Sequence, residues 1–305
     1  VAIKGKEIVQ KNIGKIFEVN QGATIFAGEK YGLHTRVFVT SAGIPTYEAK
    51  EMALAIQQYE DYKFDLNLHV VANEQSEYFK VVFKALELLN EDIAKREKHI
   101  PMGMVNLVGM KISSRTGVIV TVNQLLDLIK EAVSELVKSE EVENDNAHIV
   151  EAITQGALKF AMLKQSTNMN IALDIKQSVS LLGFTGPYLQ YTYARCKSLL
   201  YKATAIEKTD TGVEIISLRD EEKALLFWLN QYSSAIYKSW NDYSLHHLCE
   251  YLHELSQRFN LLYNNLPVLN SAESDKRLRL MLARETSRRL KLGLEILGIS
   301  ALEKL

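Results

Sequence analysis

Five segments of this 305-residue chain carry side chains that could do chemistry. In Lys111-Ile112-Ser113-Ser114-Arg115-Thr116-Gly117, two cations and two serine hydroxyls fall within seven residues. That set suits an anion-binding loop, one that neutralises charge on a phosphoryl group as pyrophosphate departs. A solvated basic turn has the same composition. In Gly43 to Glu51, Tyr47 and Glu51 stand four apart on a predicted helix and share a face. A ring beside a carboxylate suits a cationic ligand, because a guanidinium can pair with one and stack on the other. A core tyrosine beside an exposed glutamate is the alternative.

The third segment, Val70 to Phe79, follows a predicted strand and opens a helix. Ligands of parallel α/β sheets bind at strand carboxyl ends, where Gln75 would meet them; plain capping polarity is the alternative. In the fourth, Gly186 to Arg195, Pro187 suits a first helical position. Tyr188, Tyr191 and Arg195 then lie near one face. Aromatic rings beside a cation stack unpaired RNA bases and hold the backbone, although tyrosines at helical spacing also pack helices together. The fifth, Lys276 to Lys291, carries Lys276, Arg277, Arg279, Arg284, Arg288, Arg289 and Lys291 against Glu285. A basic amphipathic helix of this kind suits a phosphate backbone or a solvated face.

Other chemistries find no support. His246 and His247 are adjacent, and His253 lies six beyond His247, off the i, i+4 spacing of two ligands on one helix face. Neither a Gly-x-Ser-x-Gly elbow nor a phosphate-binding Gly-x-x-x-x-Gly-Lys-Ser/Thr loop occurs. Thirty-six Lys+Arg against 37 Asp+Glu give a net charge of -1, which excludes a uniformly basic nucleic-acid binder but not a local basic face. Cys196 and Cys249 alone make no disulfide framework. No apolar run reaches the ~18 residues of a membrane span. The sequence starts at Val1 without the apolar stretch of a signal peptide and without Met, so it is expected to begin inside a longer gene product.

The elements that must position these side chains change character along the chain. Residues 1–121 alternate strand and helix: strands at 36–40, 66–71 and 104–108, helices at 48–62 and from 79. This order favours parallel strands with crossover helices. Residues 122–305 read as almost entirely helical, with helices at 122–137, 147–165, 187–206, 219–238, 245–263 and 272–297. Polar stretches at 139–146 and 207–212 separate some of them. The expected fold class is α/β plus all-α.

Taken in order, the blocks Thr46-Tyr47-Glu48-Ala49-Lys50-Glu51, Ala72 to Phe79, His99-Ile100-Pro101-Met102-Gly103-Met104-Val105, Lys111 to Arg115 and Thr185 to Tyr191 resemble those of the arginyl-tRNA synthetases, class I aminoacyl-tRNA synthetases. The stretch Arg258 to Tyr263 with Leu266 to Leu269 is similar to their helical C-terminal domain. The resemblance covers nearly the whole chain. It implies a partial Rossmann-type parallel sheet over 1–121, the second half of the catalytic domain, and an α-helical anticodon-binding domain over 122–305.

The resemblance also implies roles. Tyr47, Glu51 and Gln75 would line the arginine pocket. Met102, Gly103, Met104 and Val105 would border the adenine of ATP. Lys111, Ser113, Ser114 and Arg115 would form the signature loop that stabilises adenylate formation. Tyr188, Tyr191, Arg195, Tyr251 and Leu305 would meet the tRNA-Arg anticodon loop. ATP would come with Mg2+, and the setting would be the cytoplasm. The family usually has Asp where Glu51 stands, the generic class I loop has a second Lys at Ser114, and Thr116 takes an often basic place. No His-x-Gly-His block occurs, and the first Rossmann half and N-terminal domain of the family are not represented. The expectation is therefore a C-terminal portion with an incomplete active site; the alternative is a non-catalytic synthetase-like RNA-binding or regulatory module. A halved sheet is expected to leave an apolar edge that self-association or a separate N-terminal half would cover.

Overall fold

A computed structural model describes residues 1–109, 120–139, 146–204 and 217–304. The Lys111–Gly117 segment, the linker at 140–145, the polar stretch at 207–212 and Leu305 lie outside the described residues. The chain divides into two compact units, Val1–Met104 and Val105–Leu305.

The first unit runs α1 (Ala2–Lys11), β1 (Glu18–Asn20), β2 (Ala23–Phe26), β3 (Arg36–Val39), α2 (Tyr47–Tyr62), β4 (Asn67–Ala72), α3 (Ser76–Leu89), α4 (Glu91–Ala94) and β5 (Glu97–Met102). β4 and β5 pair in parallel, from Asn67 opposite Glu97 to Ala72 opposite Met102, with α3 in the crossover as the sequence pattern requires. β3 departs from that pattern. It closes an antiparallel three-stranded sheet in the order β1-β2-β3. The β1–β2 hairpin turns on Gln21 and Gly22, both at positive φ (47° and 80°), the backbone of a two-residue hairpin turn.

Phe17, Phe26 and Phe38 meet beneath this sheet, with Phe17 at 6.3 Å from Phe26 and 4.9 Å from Phe38 between ring centres. Met52 of α2 and Leu86 of α3 complete the fully buried core. Gly5 lets α1 close onto α2: a Cβ there would stand 2.4 Å from the Ala49 carbonyl oxygen. The start of α2 is tied to β3, because the Thr46 hydroxyl donates to the carbonyls of Val37 (2.8 Å) and Phe38 (3.1 Å). On β4, alternate residues Leu68 and Val70 are exposed.

The second unit runs β6 (Val105–Leu107), α5 (Val122–Ser139), α6 (Asn146–Leu163), β7 (Ile171–Leu173), α7 (Ile175–Ser178), α8 (Gly186–Thr204), α9 (Asp220–Asn230), α10 (Tyr232–Asn241), α11 (His246–Asn265) and α12 (Glu273–Ile296). Two features correct the all-helical expectation. Ile171–Leu173 is a strand, paired in parallel with Val105–Leu107. The helix expected at 219–238 breaks at Gln231 into α9 and α10. Leu189 of α8, Leu225 of α9, Leu252 and Phe259 of α11 and Leu290 of α12 are fully buried in one core. Two glycines set close approaches: a Cβ at Gly293 would meet the Leu252 side chain at 2.5 Å, and one at Gly186 would fall 2.2 Å from the Gly156 carbonyl oxygen of α6. Among the described residues no helix is long and apolar enough to cross a membrane.

Candidate functional site

Around the first turns of α2 the structure gathers more charge than the sequence alone indicated. Tyr47 is 74% exposed, and the Lys50 ammonium lies 5.3 Å over its ring. The neighbouring Glu48 turns inward and accepts from Arg36 of β3 at 3.2 Å. The same guanidinium sits 5.4 Å over the ring of Tyr78 on α3. Burial raises the Tyr78 phenol far above its ordinary value, and the Glu51 and Glu48 carboxylates raise it further. Its hydroxyl has no hydrogen-bond partner among the described residues.

Tyr47, Glu51, Glu48, Arg36 and Tyr78 therefore form one electrostatic cluster, with the Arg36 guanidinium already paired to a carboxylate inside it. Gln75 is exposed at the turn that opens α3, one turn before Tyr78. At the end of β5, Met102 and Met104 are about half exposed, with Gly103 between them; Val105, which opens β6, is 39% exposed. Arg36, Glu48 and Tyr78 are the members that sequence reasoning passed over. Helical spacing pairs Glu48 with no cation, since its partner comes from β3.

On the helical unit, α8 begins with a side-chain cap: the Tyr188 N–H donates to the Thr185 hydroxyl at 3.2 Å. Buried Gln190 donates to the Ala152 and Ser300 carbonyls (3.1 and 2.9 Å), which fixes the rotation of the helix. Leu189, Tyr193 and Cys196 consequently face the core. Tyr188, Tyr191 and Arg195 share the half-buried opposite flank, as the spacing indicated. Arg195 donates to the Tyr191 hydroxyl at 2.9 Å and to Asn260 Oδ1 at 2.6 Å. Its guanidinium lies 4.7 Å over the Tyr191 ring and 5.1 Å over the Tyr263 ring. Asn260 in turn donates to the Tyr188 and Thr192 hydroxyls, both at 3.0 Å. Asn260 and Tyr263 are the members the sequence reading did not assign. They come from α11, and only the signal of the Arg258–Tyr263 block pointed near them.

Two expectations need correcting. Tyr251 is not on this flank. It is 3% exposed and packs in the core against Trp228 and Tyr232, with ring centres at 6.4 and 5.6 Å. The basic run of α12 is not one phosphate-facing stripe either. Lys276 and Arg279 are buried, and Arg279 donates to Glu222 at 2.7 Å, to the Pro267 carbonyl at 2.7 Å and to Asp275 at 3.2 Å. Arg289 lies 5.0 Å over the Tyr232 ring. Arg284, Arg288 and Lys291 stay exposed, and Arg288 and Lys291 sit near Glu285 and Glu295.

Comparison with known proteins shows the family, with a catalytic-domain match that extends past the boundary between the two units into the second. Residues 6–174 match the family described as tRNA synthetases class I (R), catalytic domain, and residues 189–305 match the DALR anticodon binding domain. The chain is 32% identical to an arginine–tRNA ligase of Clostridium perfringens over 98% of its own length and 54% of that protein. It is 28% identical to one of Bacteroides fragilis, over 99% of the chain and 52% of the relative. Thermus thermophilus arginyl-tRNA synthetase shares the fold, with a TM-score of 0.83 at 24% identity, over 99% of this chain and 59% of that one. The Plasmodium falciparum enzyme does so with a TM-score of 0.77 at 20% identity, over 97% of this chain and 51% of that one. The chain thus spans about half the length of the curated relatives it matches. With a catalytic-domain match over more than half of its residues, the chain belongs to the class I tRNA synthetase family of the arginine type.

Proposed function

We propose that this chain is the part of an arginine–tRNA ligase that holds the arginine side chain and reads the anticodon of tRNA-Arg. In this reading the arginine carboxylate attacks the α-phosphate of ATP, pyrophosphate leaves, and the adenylate passes arginine to the tRNA 3′ end. Positioning and charge neutralisation carry such chemistry, not a protein nucleophile. Tyr47, Glu51 and Gln75 take the amino acid. Met102, Gly103, Met104 and Val105 border adenine, and Lys111, Ser113, Ser114 and Arg115 meet the phosphates. Tyr188, Tyr191, Arg195 and Leu305 meet the anticodon loop.

Residues 1–121 serve as the catalytic half and 122–305 as the anticodon-binding part, in the cytoplasm. Mg2+ arrives with the nucleotide in this reading; among the described residues no group of three His, Cys, Asp or Glu side chains is gathered as a resident metal requires. Adenylate formation would also need the His-x-Gly-His block, which these residues do not contain.

The observation that carries the reading is the Arg195 guanidinium, held between two tyrosine rings and Asn260 on one flank of α8. The test is a titration with tRNA-Arg and with a second tRNA at fixed, stated salt. Preference for tRNA-Arg that Tyr188→Ala/Tyr191→Ala removes supports the reading, and equal affinity before and after sinks it. ATP–pyrophosphate exchange by the chain alone with arginine would refute the dependence on the missing block. The exposed Leu68 and Val70 support a second part of the proposal, that β4 is covered by self-association or by a separate half. A strict monomer by light scattering at high concentration argues against self-association.

A further inference from the structure

The helical unit holds a concavity that the Tyr188 cluster does not use. A cavity of about 650 Å3 opens between α9, α10 and α11, within the range of small-ligand pockets. Phe184, Phe227 and Trp228 give it aromatic walls, and Phe227 is 59% exposed. Tyr251 and His253 line it as well. Among the described residues the Tyr251 hydroxyl and His253 Nδ1 are buried beneath its wall and have no hydrogen-bond partner. At the rim stand the exposed Glu250 and Lys238. The cavity adjoins the candidate RNA flank, because the His253 ring lies 4.8 Å from Phe184 and 5.5 Å from Tyr188.

The chemistry of the lining selects among planar ligands. Aromatic walls stack any base. An ionised carboxylate accepts only, so Glu250 favours an edge that offers donors side by side. The Watson–Crick edge of guanine presents N1–H and N2–H together, a bidentate match. Adenine, cytosine and uracil each present a single donor group there. Lys238, which lines the same cavity, supplies a cation for the attached phosphate. We infer that this cavity receives an unpaired guanine of the RNA that Tyr188 and Tyr191 engage. The inference rests on the RNA-binding reading above.

Trp228 and Trp240 are the two tryptophans of the chain, and Trp240 is 75% exposed, so Trp240→Phe isolates the signal of Trp228. In this background GMP should quench fluorescence saturably, roughly tenfold more tightly than AMP, CMP or UMP. Glu250→Gln should bring the four nucleotides to near equality, and Phe227→Ala should weaken all four alike; both positions are exposed, and circular dichroism checks the fold. No saturable GMP quenching, or a guanine preference untouched by Glu250→Gln, overturns the inference. Quenching by an arginine-containing peptide instead of GMP assigns the cavity to a protein partner and overturns it too. A parallel titration with tRNA-Arg transcript separates the two claims. Binding that needs Tyr191 while GMP leaves Trp228 unquenched sinks the guanine pocket alone. Guanine-selective quenching with no transcript binding sinks the parent reading and, with it, the assignment of the guanine to that RNA.

Discussion

Arg195 donates to Asn260 Oδ1 at 2.6 Å, a charge-assisted bond that ties α8 to α11 across 65 positions of sequence. The same guanidinium faces two tyrosine rings. Its flat fork is needed for both contacts, so lysine is not an equivalent. Arg195→Lys should therefore lower transcript affinity nearly as much as Arg195→Ala. Tyr191→Ala should weaken it by roughly tenfold, the scale of one stacked base. Fluorescence anisotropy at fixed salt measures both.

The Arg279–Glu222 pair is costly to disturb. Both side chains are almost fully buried (4% and 2% exposed), and Glu222 also accepts from the Arg219 backbone N–H at 2.8 Å. Removing Arg279 leaves the buried Glu222 carboxylate with the Arg219 N–H alone, whereas removing Glu222 still leaves Arg279 its bonds to Asp275 and the Pro267 carbonyl. Arg279→Met should cost about 3–5 kcal/mol in urea unfolding and Glu222→Leu less, and the Glu222→Leu/Arg279→Met double variant should cost less than these two singles together.

Neither cysteine should react in the native state. Cys196 and Cys249 are fully buried, and desolvation holds both thiols far above their ordinary value. A thiol-reactive disulfide reagent at neutral pH should label neither residue until denaturant is added, and should then label two per chain.

Acid should destabilise the fold before the carboxylates titrate. Burial lowers His99, His246 and His253 below their ordinary value of 6.5. The unfolded chain then binds protons more readily than the folded one, so stability is full above about pH 6.5 and falls as pH drops toward the folded-state values. Thermal unfolding at pH 7.5 and 5.5 should show the lower midpoint at pH 5.5, and His253→Gln should reduce the difference.

Much of this was legible where periodicity is strong. The apolar spacing of Met52, Ala55 and Ile56 located α2, and the i, i+3, i+7 spacing of Tyr188, Tyr191 and Arg195 placed them together. The β1–β2 hairpin escaped because Gln21 gives no turn signal of the Asn-Gly or Asp-Gly kind. Three residues, Ile171–Leu173, are too short to show a period. The basic run of α12 misled because charge was counted without the helix face. Lys276 and Arg279 fall on the side that also buries Ala283 and Leu290, and Arg279 finds its anion in α9. Arg36, Asn260 and Tyr263 were hidden for the same reason: their partners are distant in sequence.

The contact between Gly186 and Gly156 has a consequence for recognition. No side chain fits between the first turn of α8 and α6, and Thr185 and Gln190 fix that turn from two further sides. These contacts set the position and the rotation of the tyrosine-bearing helix against α6. In the RNA-binding reading proposed above, the energetic burden of adaptation would then fall on the loop of the RNA.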